Sequence, residues 1–311
     1  MNELIFVRLF WKQKPVHPVL QLTPIGLDRF SELPIKIGDE INFKITNSQY
    51  CIGTEISSGK WITCLSHQKQ FDESATMDNI VEGSINQCFL CSKNSFFQCR
   101  MRCQGIFCNP SSDKAKEICT PPNTYVYLTH VGGSLKVGVS TNLQRRWLEQ
   151  GSDYSVAIAK GSGLEARRLE KLLSDELSLK MQVRGNTKLR NYIPPKFDDI
   201  NNEFLYKITE MNSIISEFQS NNPSISQLGG KLVDLTINYG ELETNRPFEI
   251  IDVKPDNEFG GIIVSIKGSI VVTQKGRYYY AMDFNKLSGL TIEFLEREAV
   301  IKTQLALDDW F

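Results

Sequence analysis

No apolar run in these 311 residues approaches the roughly 20 needed to cross a bilayer as a helix. The opening stretch, MNELIFVRLFWKQKPVHP, holds a short apolar patch, with no basic region before it and no small-residue cleavage site after it. It is therefore expected to be a strand rather than an export signal. Without an export signal the expected location is the cytoplasm, where thiols stay reduced. Histidine is scarce: His17, His67 and His130 are scattered, none with a nucleophile neighbourhood, and no Ser–His–Asp or Cys–His set is visible. The glycine-rich stretches GGSLKVG and GSG do not fit G-x-x-x-x-G-K-[ST], which excludes a phosphate loop of that kind. There is no internal repeat, no coiled-coil heptad, and no cysteine after residue 119.

What remains has the balance of an ordinary globular protein, 41% hydrophobic and 23% charged. The chain is too long for one hydrophobic core, so two or three domains are expected. The net charge of −1 hides an asymmetry: residues 1–87 carry −2, residues 88–196 carry +9 and residues 197–311 carry −8. A basic middle between acidic ends points to a segment that faces a polyanion. An ordinary solvated face explains it as well until other observations join.

Residues 1–50 look β-rich: IFVRLFW and INFKI have strand composition, with breaks at PIG, LPI and KIGDE. Residues 51–123 form a cysteine-rich module with little apolar core of its own, a composition that normally needs metal to fold. Residues 124–196 read as a small α/β unit. TYVYLTHV and LKVGVS are strands around a GGS turn, and the helix TNLQRRWLEQ ends at Gly151, a natural left-handed cap. YSVAIAK is a third strand, and LEARRLEKLLSDELSLK is a helix with Leu169, Leu172, Leu173 and Leu177 on one stripe. Residues 197–230 hold a further helix, over 199–219, and a polar linker. Residues 231–311 return to strands (LVDLTINY, FEIIDV, GGIIVSIKG, SIVVTQ and RYYYAMDF), for which a small barrel or curled sheet fits best. The fold class is α+β: a small α/β domain after a zinc-ribbon-like module, with β-rich N- and C-terminal segments.

The eight cysteines are Cys51, Cys64, Cys88, Cys91, Cys99, Cys103, Cys108 and Cys119. Cys88-x2-Cys91 has the spacing whose turn brings both sulfurs to one ion, and Cys99-x3-Cys103 is a looser version. Two four-thiolate sites would use all eight and hold two structural zinc ions. Chain order divides them into Cys51, Cys64, Cys88 and Cys91 in one site and Cys99, Cys103, Cys108 and Cys119 in the other, with interleaved pairing left open. Cys51 and Cys64 close the two ends of YCIGTEISSGKWITC, which reads as a hairpin turning at SSGK, a zinc ribbon in outline. Buried free thiols are the plainer reading, and Cys51 and Cys64 fit it best. The spacing matches neither ferredoxin pattern.

VYLTHVGGSLKVGVSTNLQRRWLEQGS, preceded by CIG…C…QCFLC, resembles an uncharacterised prokaryotic family known only as a domain of unknown function. Its members carry YLA…LKVG…R…EQGA after a short cysteine region. The resemblance covers roughly residues 50–190, with a weaker echo at GGIIVSIKGSIVV, and implies no activity. More distantly, the same stretch is similar to the GIY-YIG nuclease fold. That resemblance implies Tyr127 in the first tyrosine motif and Gly138 at the end of the second. It also implies Arg146 as the catalytic arginine and Glu170 as the carboxylate for a Mg²⁺ ion. Helical phase agrees in part: counted from Leu143, Arg146 borders the packed face with Gln150 one turn along, whereas Arg145 points away. Two positions depart from the pattern, since Lys136 stands where the second tyrosine would be and Gln150 where a histidine would be. A lysine binds phosphate but replaces a phenol only after a strong pKa shift. The set looks more suited to gripping a phosphate than to cutting beside it. Each residue also has a plain reading: Tyr127 as a core tyrosine, Arg146 paired with a carboxylate, Glu170 as a helix-surface glutamate near Arg167.

Three functions stay open. In the first, zinc module and α/β unit form a platform for nucleic acid, RNA favoured over DNA. Its phosphate contacts would be Lys136, Arg145, Arg146, Gln150, Arg167, Arg168, Arg184, Lys188 and Arg190. The second is a Mg²⁺-dependent phosphodiester hydrolase with an altered centre of Tyr127, Lys136, Arg146 and Glu170. The third is a non-catalytic adaptor docking on a protein partner. None involves a membrane.

Overall fold

The computed structural model describes residues 3–27, 29–57, 60–64, 86–88, 91, 92, 113, 116, 117, 121–242 and 248–301. The chain divides into two compact units, one of Met1–Met101 with Gly240–Phe311 and one of Arg102–Tyr239. Helices and strands occupy largely separate stretches, and the fold is α+β.

The first unit begins with β1 (Leu4–Gln13), β2 (Val16–Pro24), β3 (Ser31–Pro34) and β4 (Glu40–Gln49), followed by a small hairpin of β5 (Thr54–Ser57) and β6 (Lys60–Ile62). In β4 the alternation is plain: Ile41, Phe43 and Ile45 are buried while the residues between them are not, the period of two that one covered sheet face demands. The second unit contributes β7 to β11, given below, and the chain then returns with β12 (Phe248–Ile250), β13 (Glu258–Lys267), β14 (Ile270–Lys275), β15 (Tyr278–Asp283) and β16 (Leu290–Phe294). These strands form one nine-stranded sheet in the order β12-β15-β14-β13-β4-β16-β1-β2-β3, antiparallel except where β12 runs parallel to β15. The two β-rich ends of the chain, read from the sequence as separate segments, are thus halves of a single sheet: β13 and β16 flank β4, and β1 pairs β16. Strand pairing across more than 200 residues leaves no local mark, which is why the ends read as independent. Phe6, Phe43, Phe259 and Phe284 fill the core, with ring centroids 5.6–5.8 Å apart and mostly edge-on, the arrangement aromatic quadrupoles favour.

In the second unit β7 (Thr124–Val131) is central to a sheet ordered β10-β9-β7-β8. Gly132 and Gly133, with φ of 55° and 71°, make the two-residue turn to β8 (Ser134–Ser140), a hairpin geometry that needs positive φ at both positions. Helix α1 (Leu143–Gln150) starts at Asn142, whose side chain accepts the Arg145 N–H, and ends at left-handed Gly151. β9 (Tyr154–Gly161) leads to α2 (Gly163–Glu176), capped by Ser162, whose hydroxyl accepts the Glu165 N–H and donates to the Glu165 carboxylate. Then come α3 (Gly185–Arg190), α4 (Phe197–Asn221), β10 (Ser226–Gln227) and β11 (Val233–Asp234). Ala166, Leu169 and Leu173 of α2 join Val126, Leu128, Val137 and Phe204 in one core. LVDLTINY, expected as a strand, is instead the two-residue β11 on β9 followed by a 3-10 turn. The Asp234 carboxylate accepts both the N–H and the hydroxyl of Thr236, and that local bonding ends the strand.

Candidate functional site

The hairpin of β5 and β6 brings the two ends of its sequence together, so Cys51 and Cys64 lie side by side. Cys88 and Cys91 pack against them. The four sulfurs all lie within 4.8 Å of one another, with Cys64 Sγ 3.8 Å from Cys88 Sγ. Cys51, Cys64 and Cys91 are buried and Cys88 is half-buried. Two backbone N–H groups aim at one sulfur: those of Cys88 and Gly53 donate to Cys51 Sγ at 3.2 and 3.4 Å. Gly53 has φ +91°, and a side chain there would run into the Ile62 carbonyl. Crowding raises the thiols. Cys51 is pushed well up by its bonds to Cys64 and Cys91 and by burial, against the two backbone donors. Cys91 is pushed up to about 12: its bond to Cys51 pulls down, and Cys64 and burial outweigh it. Four sulfurs converging from two sequence pairs are a donor set that can hold one metal ion. Cys99, Cys103, Cys108 and Cys119, assigned by spacing to a second site, lie outside the described residues.

A second cluster sits on the α/β unit. Tyr127 of β7 is completely buried, and Gly138, opposite it on β8, has no side chain because the ring needs the space. A methyl there would lie 2.4 Å from both Tyr127 Cζ and Oη. Gln150 donates to the Tyr127 hydroxyl at 2.6 Å and accepts from Lys136 Nζ at 3.1 Å. Trp147 meets the Tyr127 ring edge-on at 6.1 Å, and Lys136 Nζ stands 5.8 Å from the ring centre. Arg146 hydrogen-bonds the same phenol and is half-buried. Glu170 is 8% exposed and within electrostatic reach of Lys136, Arg167 and Arg146. The structure therefore brings Tyr127, Lys136, Arg146, Gln150 and Glu170 to one place. On α1 the buried face is Trp147, Leu148 and Gln150, with Leu143 only half-buried.

Burial perturbs every member. The Tyr127 phenol is raised by desolvation against the pull of Arg146 and Gln150, and Glu170 is raised by desolvation against three cations and the Val139 backbone. Lys136 is brought down to about 7 by burial and by Arg146, with Glu170 opposing. Mg²⁺ fits this site poorly. Glu170 is hemmed in by Lys136, Arg167 and Arg146, the other carboxylate at the cluster, Glu149, acts on Arg146, and the only three-ligand group among the described residues is the cysteine set.

The remaining basic residues are dispersed. Arg168, Arg184 and Arg190 are exposed, and Arg145 pairs with Glu149 at 3.6 Å. Lys188 Nζ donates to the Gln150 carbonyl at 2.8 Å, and Arg167 is half-buried. One pairing escaped the sequence: His130 Nδ1 lies 2.8 Å from Asp153 Oδ2, both groups buried. The two are 23 residues apart, and neither carries a local signal.

The four-sulfur set and the mixed sheets define an α+β protein with a candidate metal centre. The chain belongs to the family described as "Protein of unknown function (DUF2797)", whose model matches residues 38–292. That span takes in both the cysteine pairs of the candidate centre and the GGIIVSIKGSIVV segment of β13 and β14. No curated protein and no solved structure matches the chain.

Proposed function

We propose that the protein binds nucleic acid, RNA in preference to DNA, through the α/β unit, and that Cys51, Cys64, Cys88 and Cys91 hold one structural zinc ion. The observation that carries the reading is the converging cluster of Tyr127, Lys136, Arg146 and Gln150. Lys136 and Arg146, two side chains suited to a phosphate, meet Gln150 and Tyr127 there, within a segment of +9 charge balance. Arg168 and Arg184, exposed on α2 and just before α3, are the further backbone contacts in this reading. Zinc suits the donor set: four thiolates, two of them from a C-x2-C turn, with backbone N–H groups on Cys51 Sγ that a thiolate accepts well.

Binding of the full chain to labelled structured RNA, single-stranded RNA and duplex DNA tests this. Affinity is expected to fall linearly in log salt, RNA to bind more tightly than DNA, and Arg168→Ala with Arg184→Ala to lower the slope by about 1 each. Affinity indifferent to salt or to both substitutions rejects the reading.

A GIY-YIG-type nuclease is the second reading, and Lys136 is the observation that favours it. A lysine standing where a phenol is expected needs a strong downward shift to accept a proton near neutrality, and burial beside Arg146 provides one, to about 7. The poor fit of Mg²⁺ at Glu170 weighs on the other side. Cleavage that survives unchanged in Glu170→Ala and Lys136→Met would eliminate this centre as its source.

A further inference from the structure

Three residues beyond Tyr127 on the same strand, His130 faces the other side of the sheet, because successive side chains of β7 alternate. Its ring is held at two points. Nδ1 meets Asp153 Oδ2 at 2.8 Å, and the Asp153 N–H donates to the His130 carbonyl at 2.8 Å. Asp153 is fully buried and His130 is 5% exposed. The Asp153 carboxylate engages Nδ1 and leaves Nε2 as the ring's second hydrogen-bonding atom. No group bonds Nε2 among the described residues.

The imidazole lines a shallow, open depression of about 530 Å³. Arg190, the last residue of α3, stands on its wall, as do Asp199 and Glu203, one turn apart on α4. Among the described residues none of these three is in an ion pair, so the depression presents one cation and two carboxylates uncommitted. Ile193, Pro194 and Pro195 supply an apolar side. A simple anion would meet the acidic pair and a simple cation would meet Arg190. A molecule with both charges satisfies all of them.

We propose that this depression binds a small zwitterion of the amino-acid class. Arg190 takes the carboxylate by its paired donors. Asp199 and Glu203 take the ammonium, Nε2 of His130 makes a further hydrogen bond, and the apolar wall receives the side chain. The site stands apart from the Tyr127 cluster and does not depend on the nucleic-acid reading.

Ring-nitrogen NMR of the full chain gives a direct probe, since only three histidines are present and His130 alone among the described residues is bound to a carboxylate. The protein is titrated with an equimolar mixture of the common amino acids and, separately, with acetate, methylammonium chloride and sodium chloride. The expected result is a saturable shift of the His130 ring with the mixture, not reproduced by the three simple ions. Arg190→Ala, on an exposed side chain that the fold does not need, is expected to weaken the response at least about tenfold. No saturable shift, saturation by acetate or methylammonium alone, or an affinity untouched by Arg190→Ala would each overturn the proposal.

Discussion

Gly138→Ala is the sharpest test of how the buried cluster is built. The added methyl would lie 2.4 Å from Tyr127 Cζ, 2.4 Å from its Oη and 2.9 Å from Cε2, and the ring it strikes is fully buried. Tyr127 has Trp147 against one edge and Gln150 on its hydroxyl, so it has nowhere to retreat without breaking a contact. Overpacking of a well-filled site costs about 1–3 kcal/mol, and loss of the Gln150 bond adds about 1 kcal/mol, giving about 2–4 kcal/mol in all. A chain of two units need not unfold in one step, so the loss is read locally, as hydrogen-exchange protection of β7 and β8 amides. Gly229→Ala, at an exposed glycine with nothing within 4 Å, is the control and is expected within about 0.5 kcal/mol of the parent. Tyr127→Leu removes Cζ, Oη and Cε2 together, all the atoms the methyl strikes, so the double variant should recover part of the loss, a coupling of at least about 1 kcal/mol. If Gly138→Ala protects its strands as the parent does, or if the two changes simply add, the packing argument is wrong.

Other outcomes follow from the same geometry. Lys136→Met should flatten the pH dependence of stability between about 7 and the ordinary lysine value near 10.5. Across that window the unfolded chain binds the proton that the folded one has shed. The parent therefore gains stability as pH rises, and the variant should exceed it below pH 7; equal slopes in urea titrations would refute this. Asn142→Ala removes the α1 cap and should lower protection of the α1 amides by about 1 kcal/mol, loosening Arg146 and Gln150 together. At the cysteine set the sign reverses with occupancy. Cys51 and Cys91 are raised, Cys91 to about 12, so the metal-free cluster should lose stability as pH climbs from the unfolded thiol range through that value. Metal must displace those protons, so zinc affinity should rise with pH and proton release should appear on titration in weak buffer.

Local signals in the sequence are legible where the chemistry is local. TYVYLTHV, LKVGVS, the helix ended by Gly151 and the leucine stripe of α2 correspond to β7, β8, α1 and α2 because alternation, capping and helical phase act over a few residues. The sulfur set of Cys51, Cys64, Cys88 and Cys91 follows chain order for the same reason: a hairpin closes one pair and a C-x2-C turn the other. What escaped is non-local. β2, β3 and β16 gain their strand character from neighbours in the nine-stranded sheet, α3 is a six-residue helix with weak periodicity, and His130 meets Asp153 only through the pairing of β7 with the start of β9.

A metal ion on the four sulfurs would stabilise the small hairpin. β5 and β6 have four and three residues, and an isolated two-stranded hairpin of any length is marginal in water. Among the described residues, the buried hydrophobic cluster at this place consists of Cys51, Cys64 and Cys91 with Cys88 packed against them. Ordering this segment costs about 1–2 kcal/mol per residue in backbone entropy, of which the burial of three thiols offsets only part. A four-thiolate zinc site contributes on the order of 10–16 kcal/mol, enough to decide the balance. Cys64→Ser should therefore abolish zinc retention on native mass spectrometry and erase exchange protection over Thr54–Ile62. Protection that outlasts both the substitution and a chelator would mean that ordinary packing holds the hairpin, and the sulfurs would then be no more than buried thiols.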